Sequence, residues 1–168
     1  ENIEIIVIDD CSPDDSRKIL QNYKSDARVT IVERAENGGW VSVSNQGIDL
    51  AKGEFVLFAN CDDDCEPEMI EVLVSAIQSN NEIGIAYCRS LMIDQDDVVT
   101  GDDYLIRETA FQKKCFRDCQ ISNSQMQRFL LYSCVIPNLS AALIRKSCFE
   151  TAGRFSSSFQ ACSDWDVF

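Results

Sequence analysis

Short apolar runs, each closed by a polar turn and separated by a segment of helical period, constrain this chain more than any other feature. The first run, Ile5-Ile6-Val7-Ile8, leads straight into Asp9-Asp10. Its length and lack of alternation read as a strand buried on both faces. Ser12-Pro13-Asp14-Asp15 then reads as a helix start: Ser12 suits the cap, Pro13 the first helical position, and the two acids the positive end of the helix dipole. A second short strand falls at Val29 to Val32. Asn37-Gly38-Gly39 reads as a turn. A helix follows from about Trp40 to Ala51, closed by Gly53. The run from Glu54 to Ala59 predicts a third strand, and Pro67 opens a helix with Met69, Ile70, Leu73, Val74 and Ile77 on one side. Ile83 to Cys88 reads as a further strand. This β-α-β-α-β-α-β order with short connections predicts an α/β fold, with a mostly parallel central sheet and helices on both faces.

From about Arg89 to Tyr132 the pattern blurs. Asp94 to Asp97 reads as a loop and Gln125 to Tyr132 as a helix. Order returns with a strand at Leu139 to Ile144 and a helix from near Lys146 that Gly153 breaks. Arg145 and Lys146 read as a solvated strand end. The 168 residues fit one domain, and 45% hydrophobic residues suffice for a core. The chain starts almost directly on a strand and stops inside what reads as a helical turn, so it is expected to be a partial domain.

In an open parallel sheet, ligands gather beyond the carboxyl ends of the strands. The sequence sends two acidic clusters there, Asp9-Asp10 after the first strand and Asp62-Asp63-Asp64 after the third. Three consecutive carboxylates repel one another unless a cation compensates, and carboxylate oxygens suit a hard divalent ion. The net charge of −13 repels phosphate backbones, which argues against nucleic acid as a partner and against an anionic membrane surface. With no histidine in the chain, Ser-His-Asp and Cys-His nucleophile systems are excluded, and a general base must be a carboxylate, Lys, Tyr or Cys. The nine cysteines are odd in number and irregular in spacing, which reads as reduced thiols of a cytosolic protein. Two C-x-x-x-C pairs, Cys61/Cys65 and Cys115/Cys119, are spaced less tightly than structural zinc sites usually are.

Five segments together carry a family resemblance. Glu4 to Ser12, Glu36-Asn37-Gly38-Gly39 with Asn45 to Phe55, Asn60-Cys61-Asp62-Asp63, Pro137 to Lys146, and Ser163-Asp164-Trp165-Asp166 occur in the order found in family 2 glycosyltransferases. The third resembles the metal-binding D-x-D segment and the last the E-D-x-D catalytic-base motif. The resemblance implies the GT-A fold, a Rossmann-like nucleotide-diphospho-sugar transferase architecture, here lacking its first strand. It implies a nucleotide-sugar-binding half over residues 1–88 and an acceptor-side half over 89–168.

The implied reaction is inverting transfer of a sugar from a nucleotide-diphosphate donor, with UDP expected, to an acceptor hydroxyl in glycan or polysaccharide synthesis. By the same resemblance, Asp164 is the catalytic base. Asp9, Asp10, Asn37, Gly38 and Asp62 bind the nucleotide-sugar; Asp62, Asn60 and Asp63 hold a divalent metal, Mn2+ or Mg2+. Ser163 and Trp165 meet a glycan or lipid-linked acceptor. The implied location is the bacterial cytoplasm, with membrane contact only through flanks outside this chain. Asn60 stands where an Asp is frequent, Ser44 where Arg is frequent, and Ser163 where Glu is usual. These differences leave open a non-catalytic sugar- or nucleotide-binding domain of the same fold. A receiver-type phosphoacceptor domain also places paired acids after a first strand, but it leaves the Asn37-Gly38-Gly39 block and Asp164 without a role.

Overall fold

The computed structural model describes residues 2–106, 109–115 and 117–159. They form two compact units, one from residues 2–56 and 144–159, the other from 57–143.

In the first unit, β1 (Ile5–Asp9) and β2 (Val29–Glu33) pair in parallel, in register from Ile5 opposite Val29 to Asp9 opposite Glu33. The connection holds α1 (Ser16–Leu20), continued by a 3-10 turn over Gln21–Tyr23. The expected start of α1 at Pro13 is displaced to Ser16 because acids grip the intervening backbone. The Ser12 amide donates to Asp9, and the Ser16 amide donates to Asp14 at 2.9 Å. The next helix, α2 (Gly39–Leu50), buries Ile48 completely. Gly53 does not close it. Ala51 leaves the helix in an extended conformation, and the Lys52 and Gly53 amides both donate to the Glu4 carboxylate, at 2.6 and 2.8 Å. The start of β1 is thereby tied to the end of α2.

The third strand, β3 (Phe55–Leu57), is shorter than the expected 54–59. In the second unit it is followed by α3 (Met69–Gln78), which buries Leu73 and Ile77 while Ile70 stays 39% exposed, and by β4 (Ile85–Tyr87). The stretch that carries no clear period folds as an antiparallel hairpin, β5 (Leu91–Ile93) with β6 (Val99–Asp102), around the expected Asp94–Asp97 loop. Helices α4 (Thr109–Lys114) and α5 (Asn123–Leu130) follow. Tyr104, Phe111 and Val135 form a buried cluster there, with Phe129 edge-on to Phe111 at 5.3 Å.

The expected strand from Leu139 begins only at Ala142. Asn138 accepts the Ala141 amide at 2.8 Å and winds Leu139–Ala141 into a 3-10 turn before β7 (Ala142–Arg145). In hydrogen-bonding order β7 lies between β3 and β4. Lys146, just past the end of β7, donates to Glu54 at the entry to β3, and Cys88, just past the end of β4, donates to Ala141 before β7. Start meets finish on both sides, so β7 runs against its neighbours. Nor is Arg145 a solvated end: its guanidinium pairs with Glu54 and lies over the Phe55 ring at 5.1 Å, while the Lys146 ammonium reaches the Ala51 carbonyl. The last helix, α6 (Lys146–Thr151), ends before Gly153, whose φ of 103° belongs to the left-handed region. Among the described residues no helix is long and apolar enough to cross a membrane.

Candidate functional site

Asp9 and Asp10 end β1 side by side but take different roles. The Asp9 carboxylate is buried. It accepts from the Ser12 amide at 3.2 Å and from Arg17 Nε at 2.6 Å. The Ser12 hydrogen bond, then the Arg17 bond, hold its pKa below the ordinary 3.8. Arg17 also donates to the Arg34 carbonyl at 2.6 Å, so Asp9 fixes the ends of β1 and β2 through one guanidinium.

Asp10 faces the Asn37-Gly38-Gly39 turn. Its carboxylate accepts the Gly38 amide at 3.0 Å and the Gly39 amide at 2.8 Å. The Arg34 guanidinium stands 3.3 Å away, and its other nitrogen donates to Ser42 at 3.1 Å. Asn37 accepts the Gly39 amide as well, at 3.1 Å. Gly39 adopts φ 77°, which a side chain resists, and a Cβ on Gly38 would strike the Arg34 guanidinium. Gly39 is thus required by its backbone angle, whereas a side chain at Gly38 would displace the Arg34 guanidinium from its place beside Asp10. Consecutive amides aimed at one carboxylate make a fixed, polar loop at the start of α2.

The second acidic cluster lies in the second unit. The Asn60 amide donates to Ser140 Oγ at 3.1 Å, and the Asn60 side chain donates to Asp63 at 2.9 Å. Asp64 accepts the Cys65 amide at 2.8 Å. Asp62 is exposed, and its carboxylate has no hydrogen-bond or ionic partner among the described residues. Asn60 Oδ1 is the acceptor its own side chain leaves available. Among the described residues no group of three or more His, Cys, Asp or Glu side chains is gathered as a metal cage. Asn60 and Asp62 are the residues of this segment whose oxygens could hold a hard divalent ion.

A cavity of about 640 Å³ opens in the first unit beside α2, lined by Arg34, Gly38, Ser42, Asn45 and Phe155 among others. Asn45 exchanges two hydrogen bonds with the Phe155 backbone, donating at 2.9 Å and accepting at 3.1 Å. Trp40 lies against the Phe155 ring with centroids 5.6 Å apart. Asp9, Asp10, Asn37 and Gly38 are thus brought together in one unit, and Asn60, Asp62 and Asp63 in the other. Ser163, Asp164 and Trp165 lie outside the described residues. Arg17 and Arg34 had no local signal in the sequence; Asn45 and Ser140 fall within segments of the family resemblance, but Asn45 and Phe155, like Ser140 and Asn60, meet only through the fold.

The model of the family described as "Glycosyl transferase family 2" matches residues 1–152. The chain belongs to that family. The glycosyltransferase GlyG of Streptococcus pneumoniae is 33% identical over 119 residues, 67% of this chain and 39% of its own length. The crystal structure of Staphylococcus aureus TarS superposes with a TM-score of 0.69 at 20% identity, over 98% of this chain and 45% of that one. A mannosyltransferase from Pyrobaculum calidifontis, solved with GDP-Man and Mn2+, superposes at 0.60 with 17% identity, over 91% of this chain and 38% of that one. The chain therefore spans less than half the length of each of these proteins.

The family 2 assignment fixes the fold as GT-A and removes the receiver-type alternative. As a family 2 member, the chain carries its Asn60-Cys61-Asp62-Asp63 segment on the connection that leaves β3.

Proposed function

We propose that this domain serves an inverting glycosyltransferase that moves a sugar from a UDP-sugar to a hydroxyl of a glycan or lipid-linked acceptor. The observation that carries the reading is the Asn60 clamp. Ser140 holds Asn60 by its backbone and Asp63 holds it by its side chain, while the adjacent Asp62 carboxylate is left exposed. Such an arrangement suits a divalent cation shared with a diphosphate. Two solved relatives support the nucleotide-sugar: TarS has been crystallised with UDP and UDP-GlcNAc, and the Pyrobaculum enzyme with GDP-Man and Mn2+.

In this reading Asp62 and Asn60 hold Mn2+ or Mg2+, with Asp63 bracing Asn60. A bound divalent ion stabilises the charge that grows on a leaving diphosphate. Asp10 keeps the Gly38-Gly39 loop in place. Its carboxylate, already engaged by the Gly38 and Gly39 amides and paired with Arg34, would meet the uracil edge of the donor. The acceptor hydroxyl oxygen attacks the anomeric carbon from the face opposite the diphosphate, the bond to the diphosphate oxygen breaks, and the hydroxyl proton passes to Asp164. Trp165 offers a ring face to the acceptor sugar beside Ser163. The reading also carries a cytoplasmic location, peripheral to the membrane, which fractionation of the full-length protein checks.

The test uses the full-length protein with Mn2+ and a panel of nucleotide-sugars, reading nucleotide release and sugar transfer. Asp164→Asn is expected to lower kcat by about 10²-fold or more, and Asp62→Asn to weaken donor binding in the presence of Mn2+. Calorimetric donor binding with no turnover on any acceptor would favour the non-catalytic sugar-nucleotide domain instead. A folded protein that binds no nucleotide-sugar would overturn both.

A further inference from the structure

We propose that Cys115 and Cys119 form a reversible dithiol–disulfide pair that reacts with low-molecular-weight disulfides of the glutathione type. The Cys119 thiol donates to Cys115 Sγ at a sulfur–sulfur separation of 3.2 Å. Closing a bond of about 2.05 Å therefore asks the two sulfurs to approach by roughly 1.1 Å. The position of Cys115 is set by α4: its amide donates to the Phe111 carbonyl at 2.9 Å, and its side chain packs against the Tyr104–Phe111–Val135 cluster. Cys119 is exposed and stands beyond the end of that helix.

Metal chemistry is the other use of paired thiols. A structural zinc site needs four ligands, and among the described residues no third metal-binding side chain joins this pair. Redox chemistry needs only the two. Burial, then the hydrogen bond and the charge of Cys119, push the Cys115 thiol up to about 12, so Cys115 stays protonated while Cys119 meets the solvent. The order of events follows. The Cys119 thiolate attacks one sulfur of oxidised glutathione, forms a mixed disulfide and releases one glutathione thiolate. Cys115 then gives up its proton and attacks the Cys119 sulfur, forming the Cys115–Cys119 bond and releasing the second glutathione. Two protein thiols are oxidised and one glutathione disulfide is reduced to two thiols. An exposed disulfide of this kind belongs to the labile class that excess thiol reopens.

The two cysteines are separated by a tryptic cleavage point, which gives a direct readout. Cleavage after Lys114, Arg117 and Arg128 leaves the peptides Cys115–Arg117 and Asp118–Arg128, which stay together only through a bond between their sulfurs. The reduced, intact chain is equilibrated with oxidised and reduced glutathione at graded ratios, alkylated and digested without reductant. The expected product is the linked peptide pair, lost again in excess dithiothreitol. In Cys115→Ser, and in Cys115→Ala as a second variant, Cys119 should instead carry glutathione at about tenfold or more the level in the unaltered chain, because the neighbouring thiol acts at millimolar effective concentration. A stable glutathione adduct on Cys119 of the unaltered chain would overturn the proposal. So would a bond from either sulfur to another cysteine, or free Cys115 and Cys119 under conditions that glutathionylate Cys61. The linked-peptide result in the unaltered chain decides the matter even if a variant folds poorly.

Discussion

Replacing Asn45 with alanine sets two effects of known size against each other. Asn is a poor helix former, so placing Ala in the middle of α2 gains about 0.5–0.7 kcal/mol of helix propensity. Against this, the variant loses the two bonds that Asn45 exchanges with the Phe155 backbone, at 2.9 and 3.1 Å. Each is worth about 1 kcal/mol net. The balance is a loss of about 1–2 kcal/mol, or roughly 2–8 °C in Tm for a chain of this size. Urea denaturation followed by circular dichroism measures it, with Gln46→Ala as the neighbouring control, expected within about 0.5 kcal/mol of the unaltered chain. Asn45→Asp keeps an acceptor for the Phe155 amide but sets a carboxylate oxygen against the Phe155 carbonyl, so it should destabilise at least as much as alanine. If Asn45→Ala is as stable as the control, or more so, propensity outweighs the clamp and the reasoning fails.

Three further outcomes follow from geometry already described. Gly39→Ala has open space for its Cβ but must hold φ at 77°, so a thermal melt should show a loss of about 1–2 kcal/mol from backbone strain alone; an unchanged melt would mean that the loop relaxes. The pKa of Asp9 is lowered by Ser12 and Arg17, so its contribution to stability is present above its unfolded value near 3.8 and is lost as pH falls through the lower folded value. Arg17→Gln should therefore move the acid-unfolding midpoint upward, and an unchanged midpoint would show that the Ser12 amide suffices. Phe111, 2% exposed, should cost about 3–5 kcal/mol when cut to alanine, as measured by denaturant titration; a loss under about 1 kcal/mol would remove it from the core.

Much of the fold was legible because it rests on local pattern. Apolar runs such as Ile5 to Ile8 have no helical period to confuse them, although the strand is less buried than its composition predicts, with Ile5 exposed and Ile6 to Ile8 half-buried, and α3 shows its stripe openly. The hairpin β5–β6 was not legible, because Leu91, Met92 and Ile93 are all exposed and no alternation marks an inner face. Gly53 misled because its proximity to the helix end suggested a cap, whereas its amide serves the distant Glu4 carboxylate. Of the candidate site, acidic positions were readable from their place after strands. Their partners were not, since Arg34 meets Asp10 and Ser140 meets Asn60 only once long-range pairing has formed.

The placement of β7 bears on how such a chain is made. Synthesis delivers β3 and β4 well before the strand that lies between them. Until then each waits with an open edge of backbone donors and acceptors, the sort of surface that recruits neighbouring chains. The nascent polypeptide thus passes through a period in which its own later segment competes with other molecules for the same gap. Crowded translation should make solubility more sensitive to lesions at Ala142–Arg145 than equilibrium stability alone suggests.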